Sequence, residues 1–195
     1  MSAFGAQSYY YIAGTLLARS TVGSNDLYLY YDALGRCMKR KLNGVSSYRV
    51  FQDEHWIAEY TSSNVNIGTA IYGNDVDELI ARGYNGVPYW YFPDRNGNIS
   101  VVLNTAGGVL ESYRYDAFGA PSFFNATGGT ITQSAIGNPF LFTGREWDHA
   151  FGLYEYRARG YDPDLGRFLS EDPKGFDAGD YNLYRYCDND PLDLN

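Results

Sequence analysis

Short runs of alternating apolar and polar residues, each closed by a turn signal, fill most of this chain. Leu27-Tyr28-Leu29-Tyr30-Tyr31 runs into Asp32-Ala33-Leu34-Gly35-Arg36, and Cys37 to Leu42 returns as the second half of a hairpin. Asn43-Gly44 is the next turn, since both residue types tolerate positive φ. Val45 to Gln52 and Trp56 to Tyr60 read as further strands. Tyr89 to Pro93 leads into Asp94-Arg95-Asn96-Gly97-Asn98 and out through Ile99 to Leu103. Ala106-Gly107-Gly108 turns into Val109 to Tyr115, Asp116 to Pro121 turns again, and Tyr161-Asp162 repeats the form. An aromatic residue, then Asp, then Gly is therefore an internal repeat. Each copy is one hairpin that cannot bury its own face, so neighbours must stack. The pattern predicts an all-β protein of stacked antiparallel hairpins.

Helix signals are few. Asn74 to Arg82 reads either as a short helical turn capped by Asn74 or, over Glu78 to Arg82, as a strand. Asn125 to Gly137, rich in Gly, Thr, Ser and Asn, is expected to be a long exposed loop. No linker separates two halves. No apolar run approaches the roughly 18 residues needed to span a bilayer. Met1 to Ser20 lacks the basic start and apolar core of a signal peptide. Tyr9 to Gly14 already reads as the middle of a strand and turn, as if cut from a longer protein.

Composition sharpens this picture. With 20 Tyr, 11 Phe and 3 Trp beside 22 Gly, the chain is built for pleated, half-buried surfaces with glycine turns. A hydrophobic share of 45% excludes disorder. A net charge of -8 argues against nucleic acid or an anionic membrane as partner, because both need a basic face. Cys37 and Cys187 are the only cysteines and make no framework; one disulfide between them stays open. His55 and His149 lack ligand-spaced neighbours, so no metal site or cofactor is expected. No Ser/His/Asp set or phosphate-binding loop is visible, and the Gly-x-x-Gly occurrences fall in turns. The Tyr-rich strands read first as a wall of cross-strand aromatic pairs, and second as a surface on which sugar rings could stack.

The last third carries the most specific pattern. Asn138-Pro139-Phe140-Leu141-Phe142-Thr143-Gly144-Arg145-Glu146 opens it. Tyr161-Asp162-Pro163-Asp164-Leu165-Gly166-Arg167-Phe168 and Glu171-Asp172-Pro173-Lys174-Gly175 follow, then Asn182-Leu183-Tyr184-Arg185-Tyr186 and Asn189-Asp190-Pro191. Upstream stand Trp56-Ile57-Ala58-Glu59-Tyr60, Tyr72-Gly73, Asp77-Glu78-Leu79-Ile80-Ala81-Arg82 and Glu111-Ser112-Tyr113-Arg114-Tyr115-Asp116-Ala117-Phe118-Gly119. In this order the set resembles the C-terminal end of Rhs/YD-repeat proteins, including their repeat-associated core. The resemblance implies a spiralling β-shell over residues 1–142 and a plug-like core segment over residues 143–195. It also implies two partners: an upstream YD-repeat shell, and a C-terminal toxin or effector polypeptide enclosed within. Secretion or cell-surface display through a specialised system goes with it. The 195 residues are short for a closed cage, so open sheet edges and self-association are expected.

In bacterial relatives this core is an aspartyl autoprotease, in which two carboxylates share a proton: one activates water and the other polarises the carbonyl. By motif the first acid is Asp172, with Arg167 in support. The alternative is that Asp172 simply caps its Asp-Pro-x-Gly turn. Asp162 reads as a turn cap and Asp193 as a surface residue. Asn182, Tyr184 and Asn189 are expected to pin the plug through hydrogen bonds to backbone. Two departures stand out. Gly160 replaces a usual Tyr and is expected to mark a bulge. The sequence also stops at Asn195, before the second Asp-Pro-x-Gly in which the partner acid would lie, so no cleavage is expected from these residues alone.

Overall fold

The chain reverses wherever Asp or Asn stands three residues before glycine. At Asp94, one carboxylate oxygen accepts from the N–H groups of Asn96 (2.9 Å) and Asn98 (3.0 Å), while Gly97 N–H reaches the Asp94 carbonyl (3.1 Å). Asp32, Asn104, Asp116 and Asn125 hold their turns with the same set of bonds. A short side chain that bonds its own following backbone is the local device that fixes each reversal. Asn43-Gly44 uses a different device, the predicted pair of positive φ angles, +49° and +87°.

The computed structural model describes residues 7–191. Between the turns run β1 (Gln7–Ile12), β2 (Leu16–Val22), β3 (Asn25–Tyr31), β4 (Cys37–Leu42), β5 (Val45–Gln52), β6 (His55–Thr61) and β7 (Asn66–Tyr72). They continue as β8 (Leu79–Tyr84), β9 (Val87–Pro93), β10 (Ile99–Leu103), β11 (Val109–Tyr115), β12 (Pro121–Asn125) and β13 (Thr130–Ile131). All pair antiparallel in strict sequence order as one 13-stranded sheet. A second sheet of four strands follows: β14 (Glu146–Asp148), β15 (Leu153–Tyr156), β16 (Arg159–Asp162) and β17 (Arg167–Phe168). The described residues hold no α-helix, and no helix long and apolar enough to cross a membrane.

One face of the long sheet is dry. Along β3, Leu27 and Leu29 are buried; along β9, Tyr89 and Tyr91 are buried while Trp90 and Phe92 stay out. This alternation follows from the two-residue period of a strand. The C-terminal segment covers that face. Phe140, Leu141, Phe142, Tyr154, Tyr161, Phe168 and Tyr186 join Trp56, Tyr89, Tyr91, Val102, Tyr113 and Phe123 in one core. A second cluster places Phe151 and Leu153 against Leu17, Leu27, Leu29 and Cys37.

Four expectations are corrected or narrowed. Residues 74–82 form no helix: Asp77 takes φ +57°, Gly73 N–H bonds Glu78 O, and the chain enters β8. The strand reading is the right one. Residues 125–137 are not simply an exposed loop, because Glu111, buried in β11, must be satisfied. Its carboxylate accepts from Ala135 N (2.6 Å) and Ile136 N (3.2 Å), drawing the segment down. Asn104 and Asn125 belong to the repeat although neither is Asp. Gly160 makes no bulge: it pairs in regular register with Glu155, and Leu17 and Leu169 occupy the space beside it.

Removal of the Asn104 side chain (Asn104→Ala) should lower stability by about 1 kcal/mol, the ordinary net value of such turn bonds. Asp94→Ala should cost more, because the Asp94 carboxylate also accepts from Asn98 Nδ2 (2.9 Å). Urea midpoints at unchanged m-value check both. Gly119 has φ +91°, and a Cβ there would lie 2.5 Å from the Phe142 ring. Gly119→Ala should therefore cost about 1–3 kcal/mol, and an unaltered melting temperature would refute that close approach.

Candidate functional site

Two ionic anchors and a set of tyrosine hydroxyls fasten the C-terminal segment to the wall, and a third ionic anchor ties that segment to itself. The first anchor is Asp77. Its carboxylate binds Arg145 (2.7 Å) and Arg157 (2.9 Å), and His55 Nε2 lies 3.3 Å away while stacking on Tyr72. Burial lowers the Arg145 pKa, and Asp77 opposes this. Beside it Thr143 takes φ +49°, its N–H donating to Asn98 Oδ1 (2.9 Å) and its hydroxyl meeting Tyr156 (2.7 Å). Asn98 is thus the residue that receives the Thr-Gly-Arg turn. Gly144 is required there: a Cβ would sit 2.7 Å from the Asp77 carbonyl.

The second anchor surrounds Arg49, whose side chain is only 6% exposed. Its guanidinium donates to Glu146, lies 3.6 Å from Glu155 and 3.9 Å from Glu59, and packs against the Trp56 ring. Trp56 Nε1 donates to Glu146 as well (2.8 Å). Arg40 pairs with Asp148 nearby. Burial alone would lower the Arg49 pKa, but Glu146 and its fellow carboxylates outweigh it and hold the group charged. Cavities of about 240 and 320 Å³ lie on the two sides of this cluster.

The third anchor contains Asp172. Its Oδ2 pairs with Arg159 Nη2 (2.9 Å), its Oδ1 accepts from Lys174 N (2.8 Å), and its N–H donates to Leu183 O (2.9 Å). The turn-cap role is therefore present, together with an ion pair that the sequence did not suggest. Arg159 also donates to Leu183 O and lies over the Phe168 ring (3.5 Å). Arg167, the expected support, points elsewhere: its Nε donates to Phe168 O and its guanidinium lies over Tyr184. The pattern that could have revealed Arg159 is its strand neighbour Tyr161, two residues on and buried on the same face.

The tyrosines complete the fastening. Tyr154 and Tyr161 donate to the carbonyls of Gly119 and Phe118 (both 2.8 Å), the turn of the Tyr-Asp repeat. Burial pushes the Tyr154, Tyr161 and Tyr186 hydroxyls up and takes Tyr156 to about 12, so all remain neutral donors. At the opposite end of the sheet, Ser170 donates to Thr15 O (2.9 Å) and Tyr11 to Leu169 O (3.2 Å). Asp162 caps its turn through Leu165 N (3.1 Å). Asn182 accepts from Tyr184 N (3.2 Å), and Tyr184 bonds Glu171, so these two act locally; Asn189 contributes a backbone bond to Tyr186. Cys37 and Cys187 are both free thiols. His149 meets Phe123 edge-on. Asp193 lies outside the described residues. Among the described residues no cluster of His, Cys, Asp and Glu could hold a metal ion.

Comparison with known proteins agrees with this architecture. The family model described as Teneurin YD-shell matches residues 1–192. The chain is 30% identical over 166 residues to the tRNA nuclease WapA of Bacillus subtilis strain 168, a match that covers 83% of this chain and 7% of that protein. It is 34% identical over 101 residues to the double-stranded DNA deaminase toxin A of Burkholderia cenocepacia strain H111, covering 52% and 7%. Among solved structures, the Tc holotoxin pore of Photorhabdus luminescens superposes with a TM-score of 0.73 at 22% identity, over 97% of this chain and 10% of that one. The TcdB2-TccC3 crystal structure gives 0.71 at 20%, over 95% and 10%. These two structural likenesses bear on fold alone. The chain spans only a small part of each relative. A stacked-hairpin wall covered by its own C-terminal segment, matched from residue 1 to residue 192, belongs to the YD-shell family of Rhs/YD-repeat proteins.

Proposed function

We propose that this chain is the wall-and-closure segment of a toxin shell, enclosing and presenting a toxin or effector polypeptide that follows it. The observation that carries the reading is the continuous core in which Phe142, Tyr154, Tyr161, Phe168 and Tyr186 cover the dry face of the wall. Residues 1–142 hold the wall and residues 143–195 the closure, with Phe140 to Phe142 leading the chain from one onto the other. Among the described residues β1 pairs only with β2, which suits an upstream repeat array or a second copy as neighbour. Relatives that are a tRNA nuclease and a DNA deaminase toxin support a toxic cargo and export from the producing cell. Limited proteolysis of the full-length gene product tests the enclosure. Whatever follows the closure should resist cutting, and Tyr161→Ala with Phe168→Ala should expose it. Equal digestion of both forms would refute the proposal.

Asp172 supports a second reading, self-cleavage of the chain by an aspartyl mechanism, with Arg159 paired to it in the place expected of Arg167. The partners of Asp172 among the described residues are Arg159, Lys174, Gly175 and Leu183. A second carboxylate must therefore come from elsewhere to complete an acid pair. Mass spectrometry of the full-length product should show a cut in the wild type and none in Asp172→Asn. Cleavage that persists in the variant would remove Asp172 from the mechanism.

A further inference from the structure

The two cavities beside Arg49 meet at Glu146 and Glu155, which line both. These residues are direct partners in the β14–β15 ladder, so their side chains leave the same face side by side. Both reach the single Arg49 guanidinium, and Glu59 reaches it from β6. Three carboxylates thus share one buried cation. The other cations nearby each have a carboxylate partner of their own: Arg40 of β4 pairs with Asp148, and Arg145 and Arg157 pair with Asp77. The buried neutral neighbours are Cys37 of β4, Tyr31 of β3 and Tyr72 of β7, all raised by burial, Cys37 to about 12. Arg49, Arg40 and Arg145 lend Glu155 a positive field that burial and Glu146 outweigh. Two opposed carboxylates in such a place repel, and one bound proton removes the repulsion.

We propose that Glu155, set directly across the ladder from Glu146, holds a proton at neutral pH and so makes a proton-controlled clamp where the C-terminal sheet meets the wall. Glu146 is tied to the wall through Arg49 and Trp56, and Glu155 stands beside it on the next strand. The proton is taken from solvent and held on Glu155. Loss of it leaves like charges opposed within the clamp.

Burial first, and Glu146 second, raise the Glu155 pKa to about 7. An unfolded Glu titrates near 4.3, so between these values the folded chain holds a proton that the unfolded chain has released. The stabilisation is full below the unfolded value and is lost as pH rises through about 7.

Thermal unfolding between about pH 5.5 and 8.5 tests the clamp. The wild-type melting temperature should fall as pH rises through neutrality. Glu155→Gln, a neutral mimic of the protonated acid, should lose most of that fall and melt above wild type at the alkaline end. Glu146→Gln should also flatten the profile. Histidine titrates in the same range, so the double variant His55→Gln, His149→Gln is the control and should keep the fall. A wild-type profile without the fall, or a Glu155→Gln profile that retains it, overturns the proposal. Should Glu155→Gln not fold, infrared spectroscopy of the wild type decides. A protonated-carboxyl band present near pH 6.5 and gone near 8.5 supports the clamp, and its absence at both overturns it.

Discussion

A sheet made only of successive hairpins has a face that it cannot cover by itself. Each strand adds another pair of apolar side chains to that face, and none of the connecting turns is long enough to fold back over it. The whole structure depends on meeting this requirement from the end of the chain. Residues from Phe140 to Tyr186 supply the aromatic rings, and the turns of the repeat supply the carbonyls that receive their hydroxyls. Burial of this aromatic area provides the general attraction. The hydrogen bonds to Gly119 and Phe118 set where the rings must sit, because a buried phenol without an acceptor is costly.

Charge is used differently. The anchors at Asp77 and Arg49 join residues far apart in sequence, whereas the one at Asp172 ties the covering segment to itself. Buried ion pairs contribute little net stability once desolvation is counted, but a misplaced one is heavily penalised. They therefore act as registration marks. Thr143-Gly144-Arg145 shows this well: Asn98, Asp77 and Tyr156 each demand one group of the turn, and only one placement of the covering segment serves all three.

Much of this was legible in the residues. Strand positions followed from the period-two pattern of Leu27 to Tyr31 and Tyr89 to Pro93, since local backbone preference and side-chain burial agree there. Asp-x-x-Gly announced its turns because the bonds that make them are local. The ordered C-terminal motifs identified the family. What stayed hidden was long-range. Arg159 rather than Arg167 faces Asp172 because packing on Phe168 turns the one in and the other out; the Tyr161 spacing marks Arg159 as inward but not which acid it meets. Glu111 looks like a surface residue in its Tyr-flanked strand, yet it draws residues 135 and 136 onto the wall. Asn104 and Asn125 were missed as repeat members because the pattern was read as Asp, whereas the chemistry asks only for the side-chain Oδ1 that Asp and Asn share.

The strict sequence order of the strands has a consequence for how the protein is made. Each hairpin can pair with the one before it as soon as it is synthesised, so the wall can grow in step with translation. Its cover is made only after the wall, and that cover must reach back to Thr15 and Tyr11 in the first described hairpin. Until then a broad apolar face stays wet on a nascent chain. The interval between the first hairpin and the last aromatic residue is when this protein is most exposed to misassembly, and it lengthens with every repeat added upstream.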